Sequence, residues 1–371
     1  MRVGFLLPYS EMASSFARHK FTFLIIFSLH IVACSDKSVN DPCCRYSAIT
    51  DPTSANEDDG VLYVQGSTTA YYYVLNDQGE QVIHQVINKA VPLPEGEYNV
   101  RINNSLHAVR IRSEEQVNCL TGTLTVSGNT SDYYYVIDST GQQLTYEMLG
   151  KQTSLFPGIY TIRVNETEVS TEVKLNEFRE IRTGSILVEG TTNEYYYVLG
   201  TGNKQLNYNT LGKPLAFLPG FYEVKVNNTS MKADVVAGRV TTLATGNILV
   251  SGLTEEYYYV TDSVGNALNF QTLNKSIAVF PGDYEIKVNN TIVRGSVLAG
   301  QTSEFATGSL VLTGHGSGYY YVFDPLGNQL NYNTLNKSLS LFPSEYTVKL
   351  GGNTRKATVN AGQLTSVTTV D

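Results

Sequence analysis

Short runs of alternating apolar and polar residues fill the chain after residue 60, without the three-to-four-residue period of a helix. Residues 185–189 and 222–226 alternate in this way, and Tyr195–Leu199 is rich in aromatic residues that favour strands. The turn residues Asn227-Asn228 follow the second run and suit a tight hairpin, because both central residues of such a turn need positive φ. The pattern predicts an all-β fold with about seven short strands in each unit of this kind.

One 62-residue unit recurs five times without insertion or deletion. The sequence Tyr-Tyr-Tyr-Val begins at Tyr71, Tyr133, Tyr195, Tyr257 and Tyr319. The same interval separates Gly60, Gly122, Gly184, Gly246 and Gly308. A fixed period predicts tandem modules, which we place at residues 60–121, 122–183, 184–245, 246–307 and 308–371. We expect small antiparallel β-sandwich or barrel-like modules, and because no linker separates them, we expect neighbours to touch and to form an elongated rod.

Residues 218–226 of the third copy carry a Pro-Gly-x-Tyr-x-Val-x-Val pattern. This pattern resembles a hairpin of PEGA-like and other immunoglobulin-like modules in bacterial surface proteins. The resemblance covers a minor part of each module and is low in specificity. Copies one and five depart from it with Glu95-Gly96 and Pro343-Ser344. It implies a non-catalytic extracytoplasmic β-sandwich and brings no site residues with it.

A basic start, Arg18 to Lys20, precedes an apolar run over residues 21–33. These features are typical of an export signal, and the run is too short to span a membrane. Met12 is a plausible true start, because residues 1–11 add nothing that a signal needs. The run ends in Ile31-Val32-Ala33-Cys34, which resembles the lipobox of bacterial lipoproteins.

The lipobox resemblance implies cleavage after Ala33, diacylglycerol on Cys34 and acylation of the new amine, hence anchoring in a lipid bilayer. Ser35 in the next position favours the outer membrane in Gram-negative bacteria, with the periplasmic or the surface side left open. Residues 35–59 have no apolar period, so residues 34–59 are predicted to be a lipidated cysteine followed by a flexible tether.

Three cysteines follow Cys34, namely Cys43, Cys44 and Cys119, and their odd number leaves the pairing open. Cys119 shares a repeat position with Ile181, Leu243 and Phe305, which predicts a small buried apolar side chain. The alternative is a disulfide between the tether and Cys119, which export would permit.

Charge and composition exclude several functions. The net charge is −8, and residues 1–33 carry +2, so a chain beginning at Cys34 carries −10, which argues against binding nucleic acid. The histidines beyond the signal, His84, His107 and His315, occupy different repeat positions, so no triad recurs. No cysteine or histidine pattern suits a metal, and no cofactor motif is present. We expect no enzyme, no metal and no cofactor.

Tyrosine is the remaining candidate chemistry, with 26 residues against 14 Phe and no Trp. The tyrosines of the Pro-Gly-x-Tyr pattern are predicted to lie in the core with their hydroxyls bonded near the turn. For the triple tyrosines two interpretations stay open, namely cross-strand and inter-module packing, or an aromatic platform for sugar rings or a protein. Alternation along a strand places the first and third tyrosines on one face. The candidate platform residues are Tyr71, Tyr73, Tyr133, Tyr135, Tyr195, Tyr197, Tyr257, Tyr259, Tyr319 and Tyr321.

A further aromatic repeat position holds Tyr146, Tyr208, Phe270 and Tyr332, with His84 in copy one. The sequence therefore predicts a membrane-anchored structural or adhesive protein that makes multivalent contacts through tyrosine-rich strands. The alternative is a carbohydrate-binding surface lipoprotein. The partners expected are the lipid bilayer, through Cys34, and a polysaccharide or surface protein.

Overall fold

The computed structural model describes residues 43–49 and 59–368. Within these residues the secondary structure is 36 strands and one short 3₁₀ turn, Thr201–Asn203. The predicted all-β class with tandem modules is confirmed. The predictions that fall on residues 1–42, including lipidation of Cys34, lie outside the described residues, and the elongated rod stays a prediction.

Each module contributes seven strands, which are referred to below by their order within the module. Strand β1 (Cys44–Ala48) precedes the modules. Module 1 contains β2 (Asp59–Gln65), β3 (Tyr71–Leu75), β4 (Gln81–Val86), β5 (Ala90–Pro94), β6 (Gly96–Ile102), β7 (Ser105–Ile111) and β8 (Glu115–Leu120). Module 2 contains β9 (Gly122–Ser127), β10 (Tyr133–Ile137), β11 (Gln143–Met148), β12 (Gln152–Leu155), β13 (Gly158–Val164), β14 (Thr167–Val173) and β15 (Phe178–Arg182). Module 3 contains β16 (Gly184–Glu189), β17 (Tyr195–Leu199), β18 (Gln205–Thr210), β19 (Leu215–Phe217), β20 (Gly220–Val226), β21 (Thr229–Val235) and β22 (Val240–Ala244).

The last two modules repeat the same order. Module 4 contains β23 (Gly246–Ser251), β24 (Tyr257–Asp262), β25 (Ala267–Thr272), β26 (Ser276–Val279), β27 (Gly282–Val288), β28 (Thr291–Val297) and β29 (Thr302–Ala306). Module 5 contains β30 (Gly308–Thr313), β31 (Tyr319–Phe323), β32 (Gln329–Thr334), β33 (Leu339–Leu341), β34 (Ser344–Leu350), β35 (Asn353–Val359) and β36 (Leu364–Thr368).

Every module folds into two facing sheets. The four-stranded sheet has the order third, second, fifth, sixth and is antiparallel throughout. The three-stranded sheet has the order fourth, first, seventh, and its first and seventh strands are parallel. The sequence predicted an antiparallel module, but this one strand pair is parallel. A parallel pair needs a long crossover connection, and the rest of the module, in the other sheet, provides it.

The inward faces of the two sheets form the core of each module. In module 3 these are Ile186 and Val188 from β16 with Tyr196, Val224 and Val226 from the other sheet, all fully buried. Each such residue alternates with a more exposed neighbour, which is the pattern that predicted the strands.

Two local features of the repeat have clear backbone reasons. A Cβ at Gly246 would lie 2.2 Å from the carbonyl oxygen of Leu298, and the other first-strand glycines are equally confined, so only glycine fits there. Asn227 and Asn228 have φ of 47° and 62°, as the predicted hairpin between β20 and β21 requires.

Neighbouring modules contact each other through an apolar residue that follows the fourth strand. Phe280 of module 4 is 2% exposed and packs into the core of module 3. Phe156 packs in the same way into the core of module 1, and Phe342 into that of module 4. The cores of modules 1, 3 and 4 are therefore completed by a phenylalanine from the next module, whereas Ala216 of module 3 packs into the core of module 2.

Hydrogen bonds reinforce the same junction. The backbone N–H of Phe280 donates to Oγ1 of Thr229 at 3.0 Å, and Nδ2 of Asn227 donates to the carbonyl of Ala278 at 2.9 Å. The N–H of Ala278 donates to Oε2 of Glu194 at 2.8 Å. The Asn-to-carbonyl bond recurs at all four junctions, at 2.9–3.0 Å. The hairpin tips of one module thus hold the fourth strand of the next.

The segment before module 1 differs from the predicted flexible tether over Cys44–Ala48. This stretch is strand β1, which pairs antiparallel with β8 and extends the three-stranded sheet. Cys44 forms a disulfide with Cys119, so the reading of Cys119 as only a small apolar side chain is wrong and the alternative bridge is confirmed. The exposed edge of β8 supplies the backbone partners that order this segment.

Candidate aromatic binding face

The second strand of each module divides its three tyrosines between the two faces of the four-stranded sheet. In module 3, Tyr195 and Tyr197 are 49% and 38% exposed, whereas Tyr196 is fully buried. The middle tyrosine is fully buried in every copy, and the first is about half exposed in every copy. The outer pair, which contains all ten candidate platform residues, therefore faces solvent.

A third ring, from the third strand, packs between the outer two. The ring centroid of Tyr208 lies 5.7 Å from those of both Tyr195 and Tyr197, at interplanar angles of 70° and 31°. Its strand register places it directly opposite Tyr197. The same geometry recurs in all five modules, so each carries what we call an aromatic cluster. The clusters are Tyr71, Tyr73 and His84; Tyr133, Tyr135 and Tyr146; Tyr195, Tyr197 and Tyr208; Tyr257, Tyr259 and Phe270; and Tyr319, Tyr321 and Tyr332.

The buried middle tyrosines have a structural role. The hydroxyl of Tyr196 donates to the carbonyl of Lys213 at 2.7 Å, and the equivalent bond to a lysine carbonyl recurs in the other four modules. Desolvation raises the pKa of Tyr134 to about 12 and that of Tyr196 well above its usual range. Tyrosine suits this position because its ring fills the core while its hydroxyl donates to a carbonyl of the turn.

The Pro-Gly-x-Tyr tyrosines also serve the fold, as the sequence indicated. Each donates its hydroxyl to the backbone carbonyl four residues earlier. Tyr160, Tyr284 and Tyr346 are buried, whereas Tyr98 and Tyr222 are half-buried. Burial raises the pKa of Tyr284 to about 12.

A basic residue on the fifth strand lies opposite the third tyrosine of every cluster. Tyr197 pairs with Lys225, and in module 1 Tyr73 pairs with Arg101, whose guanidinium carbon lies 5.0 Å from the tyrosine ring centroid. The five residues are Arg101, Arg163, Lys225, Lys287 and Lys349. Sequence reasoning missed this group, although its 62-residue spacing was a signal that could have revealed it.

One cluster borders a groove at the junction of modules 1 and 2. The groove has a volume of about 590 Å³, which is in the range of small-ligand sites. Module 1 lines it with Tyr71, Tyr73 and Arg101, and module 2 contributes Glu147 and Gln152. Aromatic rings, a guanidinium and amide groups therefore converge there.

The described residues contain no group of three or more metal-ligating side chains and no helix long and apolar enough to cross a membrane. His84 belongs to the first aromatic cluster, and His107 is buried with its ring 5.1 Å from that of Phe156. His315 lies exposed at the start of module 5. These three histidines are in different environments and do not form a shared site.

Comparison with known proteins gives only remote similarity. No protein-family model matches the chain, and no curated protein is similar to it. The Bacillus anthracis TIE protein is 11% identical with a TM-score of 0.16, over 88% of this chain and 74% of that one. BcpA, the major pilin subunit of Bacillus cereus, is 12% identical with a TM-score of 0.14, over 84% and 98%. The pilus adhesin SpaC from Lactobacillus rhamnosus GG is 10% identical with a TM-score of 0.13, over 84% and 42%. Scores this low carry no argument about function.

Proposed function

We propose that this chain is a lipid-anchored, extracytoplasmic structural or adhesive protein whose five modules make multivalent contacts through their aromatic clusters. The observation that supports the proposal most strongly is the repetition of the cluster. Three partly exposed rings occur at the same place on the four-stranded sheet in every module.

The outer rings lie on the solvent side of the sheet and are not part of the module core. The middle tyrosine already fills the core and bonds the turn, so a smaller strand-forming residue would serve the strand at the outer positions. Exposed apolar groups that recur in a cluster are typical of interaction surfaces. Five weak sites on one chain act together because the first contact raises the effective concentration of the others.

Anchoring is the second part of the proposal. The lipobox at Ile31–Cys34 would place acyl chains on Cys34 and hold the chain in a bilayer, most simply the outer membrane. The proposal assigns no catalytic reaction to the chain.

A second candidate function is that of a surface lipoprotein that binds carbohydrate on the aromatic clusters. The groove beside Tyr71 and Tyr73 favours it, since amphipathic rings beside amide and guanidinium groups suit the apolar faces and hydroxyls of sugars.

Replacement of the first tyrosine of each cluster tests the proposal. Beads coated with the mature chain would be assayed for adhesion to bacterial cells and on a glycan array. The variant carries Tyr71→Thr, Tyr133→Thr, Tyr195→Thr, Tyr257→Thr and Tyr319→Thr. We expect adhesion to fall more than tenfold while the far-UV circular dichroism is unchanged.

A matched control removes exposed apolar side chains from the other sheet. Phe178, Val240 and Leu364 occupy one repeat position on the seventh strand and are 57%, 46% and 58% exposed. Their replacement by Thr should leave adhesion intact. Equal adhesion of the five-tyrosine variant and the unaltered chain would refute the proposal.

A further inference from the structure

The aromatic clusters carry positive charge in a chain that is otherwise acidic. The net charge is −8, yet a basic residue stands at two positions in all five modules, and no acidic residue stands at any one position in all five. One basic position is the fifth-strand residue opposite the third tyrosine, for example Lys225 opposite Tyr197. The other is a lysine in the turn after the third strand, for example Lys213. The first position adjoins the cluster through strand pairing, and the second follows the strand that carries the third ring.

The turn lysine lies at the other end of the cluster from the fifth-strand residue. In module 2 the N–H of Lys151 donates to the carbonyl of Met148, and Met148 is the strand partner of Tyr133. All five turn lysines are exposed. Within the described residues none of them forms an ion pair. Every module therefore has one basic residue opposite the third tyrosine and one exposed lysine in the turn at the other end of the third strand.

Few of the fifth-strand cations are neutralised by their surroundings. Arg163 pairs with Glu168 at 2.7 Å, and Lys225 lies 3.8 Å from Glu223. Arg101 and Lys349 lie over the rings of Tyr73 and Phe323 instead. Exposed ion pairs such as Arg163–Glu168 and Lys225–Glu223 are weak, so an incoming anion can replace the glutamate.

The groove at the first junction lacks a carboxylate that the later junctions possess. In modules 2 to 4 an acidic residue, such as Glu194, accepts a hydrogen bond from a backbone N–H of the next module's fourth strand. Module 1 has Ala70 at that position, so no protein carboxylate from this position reaches the fourth strand of module 2. Arg101 lines the space beside it, together with one carboxylate, that of Glu147.

We propose that the ligand of the aromatic clusters is an acidic polysaccharide, with sugar rings packed on the aromatic rings and sugar carboxylates paired with the flanking basic residues. This inference rests on the proposed function and names its ligand class. A basic residue beside every cluster matches a polymer with a charge on some or all of its sugars. A nucleic acid carries a phosphate at every nucleotide and needs a basic domain, which this chain does not have.

Binding is measured with the mature chain and three polymers of similar length, namely polygalacturonate, neutral dextran and polyglutamate. Binding is followed by tyrosine fluorescence, which no tryptophan emission masks because the chain has no tryptophan. We expect polygalacturonate to bind, its affinity to fall as salt rises, and dextran and polyglutamate to bind at least tenfold more weakly. Absent polygalacturonate binding, or equal binding of dextran, would overturn the inference.

The charge variant replaces the five fifth-strand cations by glutamine, which keeps an unbranched polar chain beside the ring. It carries Arg101→Gln, Arg163→Gln, Lys225→Gln, Lys287→Gln and Lys349→Gln, and we expect polygalacturonate affinity to fall more than tenfold. The control removes five cations elsewhere: Lys174→Gln, Arg179→Gln, Arg182→Gln, Lys204→Gln and Arg239→Gln. An equal loss in both variants would show general charge attraction and refute a site at the clusters.

Glu147→Gln offers a test in the opposite direction. The equivalent residues in the other modules are Gln85, Asn209, Gln271 and Asn333, so an amide is compatible with the fold there. Removing this groove carboxylate should raise the affinity for short galacturonate oligomers severalfold and leave dextran unaffected. An unchanged or lowered affinity would contradict the inference.

The inference can fail while the proposed function stands. Loss of adhesion in the five-tyrosine variant, with no effect of the charge variant, would keep the adhesive role and reject an acidic ligand. Tighter binding of oligothymidylate than of polygalacturonate would likewise reject the sugar and identify a nucleic-acid ligand.

Discussion

Replacement of Phe280 by alanine should destabilise module 3, although the residue belongs to module 4. The side chain is 2% exposed and packs among the buried residues of module 3. Its backbone N–H donates to Thr229 of the same module, and that bond survives the substitution. The perturbation thus removes the side chain and leaves the junction's hydrogen bond.

The size of the effect follows from burial. Replacing a fully buried Phe by Ala costs about 3–5 kcal/mol, from lost apolar transfer and the cavity that remains. A 62-residue domain is expected to have a stability of only about 3–9 kcal/mol by itself. Module 3 should therefore lose a large part of the free energy that protects it from opening.

Hydrogen exchange resolved by segment measures where that loss falls. We expect amide exchange in β16 and β17 of module 3 to rise between about 10²-fold and several thousandfold, since each 1.4 kcal/mol is a factor of about ten. Phe280→Leu should accelerate exchange less than Phe280→Ala, because leucine leaves a smaller cavity than alanine. Pro94→Ala is a second control. Pro94 occupies the position of Phe280 in module 1, but it is exposed and no repeat precedes it whose core it could fill. Faster exchange confined to module 4 would refute the cross-module packing.

Three further predictions follow from the described contacts and the N-terminal sequence. The Cys44–Cys119 disulfide closes a loop over a sequence separation of 75, so its reduction should destabilise module 1 by about 2–5 kcal/mol. The unfolding midpoint of module 1 should fall, and a Cys119→Ala variant should show the same fall without reductant. Burial raises the pKa of Tyr134 and of Tyr284 from 10.0 to about 12, so the fold favours the neutral forms of both side chains. The resulting stabilisation is complete below pH 10 and is lost as the pH rises to 12. Urea unfolding midpoints that stay constant between pH 10 and 12 would contradict this prediction. Cys34→Ala should release the chain from membranes or leave it uncleaved, and unchanged processing and fractionation would refute the lipoprotein assignment.

Local pattern was sufficient for much of the module. Alternation predicted β16, β17 and β20, and paired asparagines predicted the hairpin after β20, because both depend on residues adjacent in sequence. The triple tyrosine was ambiguous for a physical reason. Three identical residues have no apolar-to-polar contrast, so the sequence could not tell which face each one occupies until the sheet partners were known.

Contacts between residues that are distant in the sequence could not be predicted from the sequence alone. The pairing of Tyr197 with Lys225 depends on strand register, and the parallel pairing of β16 with β22 depends on topology. From the sequence, Phe280 would be assigned to a turn of module 4. In the structure its side chain completes the core of module 3. The hydrogen bond from the middle tyrosine Tyr258 to the carbonyl of Lys275 likewise joins residues that are 17 positions apart in the sequence.

The junction between modules is directional, and each end module lacks only the junction residues of its outer side. Phe156 of module 2 fills the core of module 1, and Phe342 of module 5 fills the core of module 4. At the position of these rings module 1 has Pro94, and in place of the docking residues Asn289 to Thr291, module 5 has Gly351 to Asn353. Terminal repeats of tandem arrays commonly depart from the consensus in this way, because their outer faces meet solvent rather than another repeat. Any structure adjoining module 5 would therefore have to dock by contacts other than those at the four internal junctions.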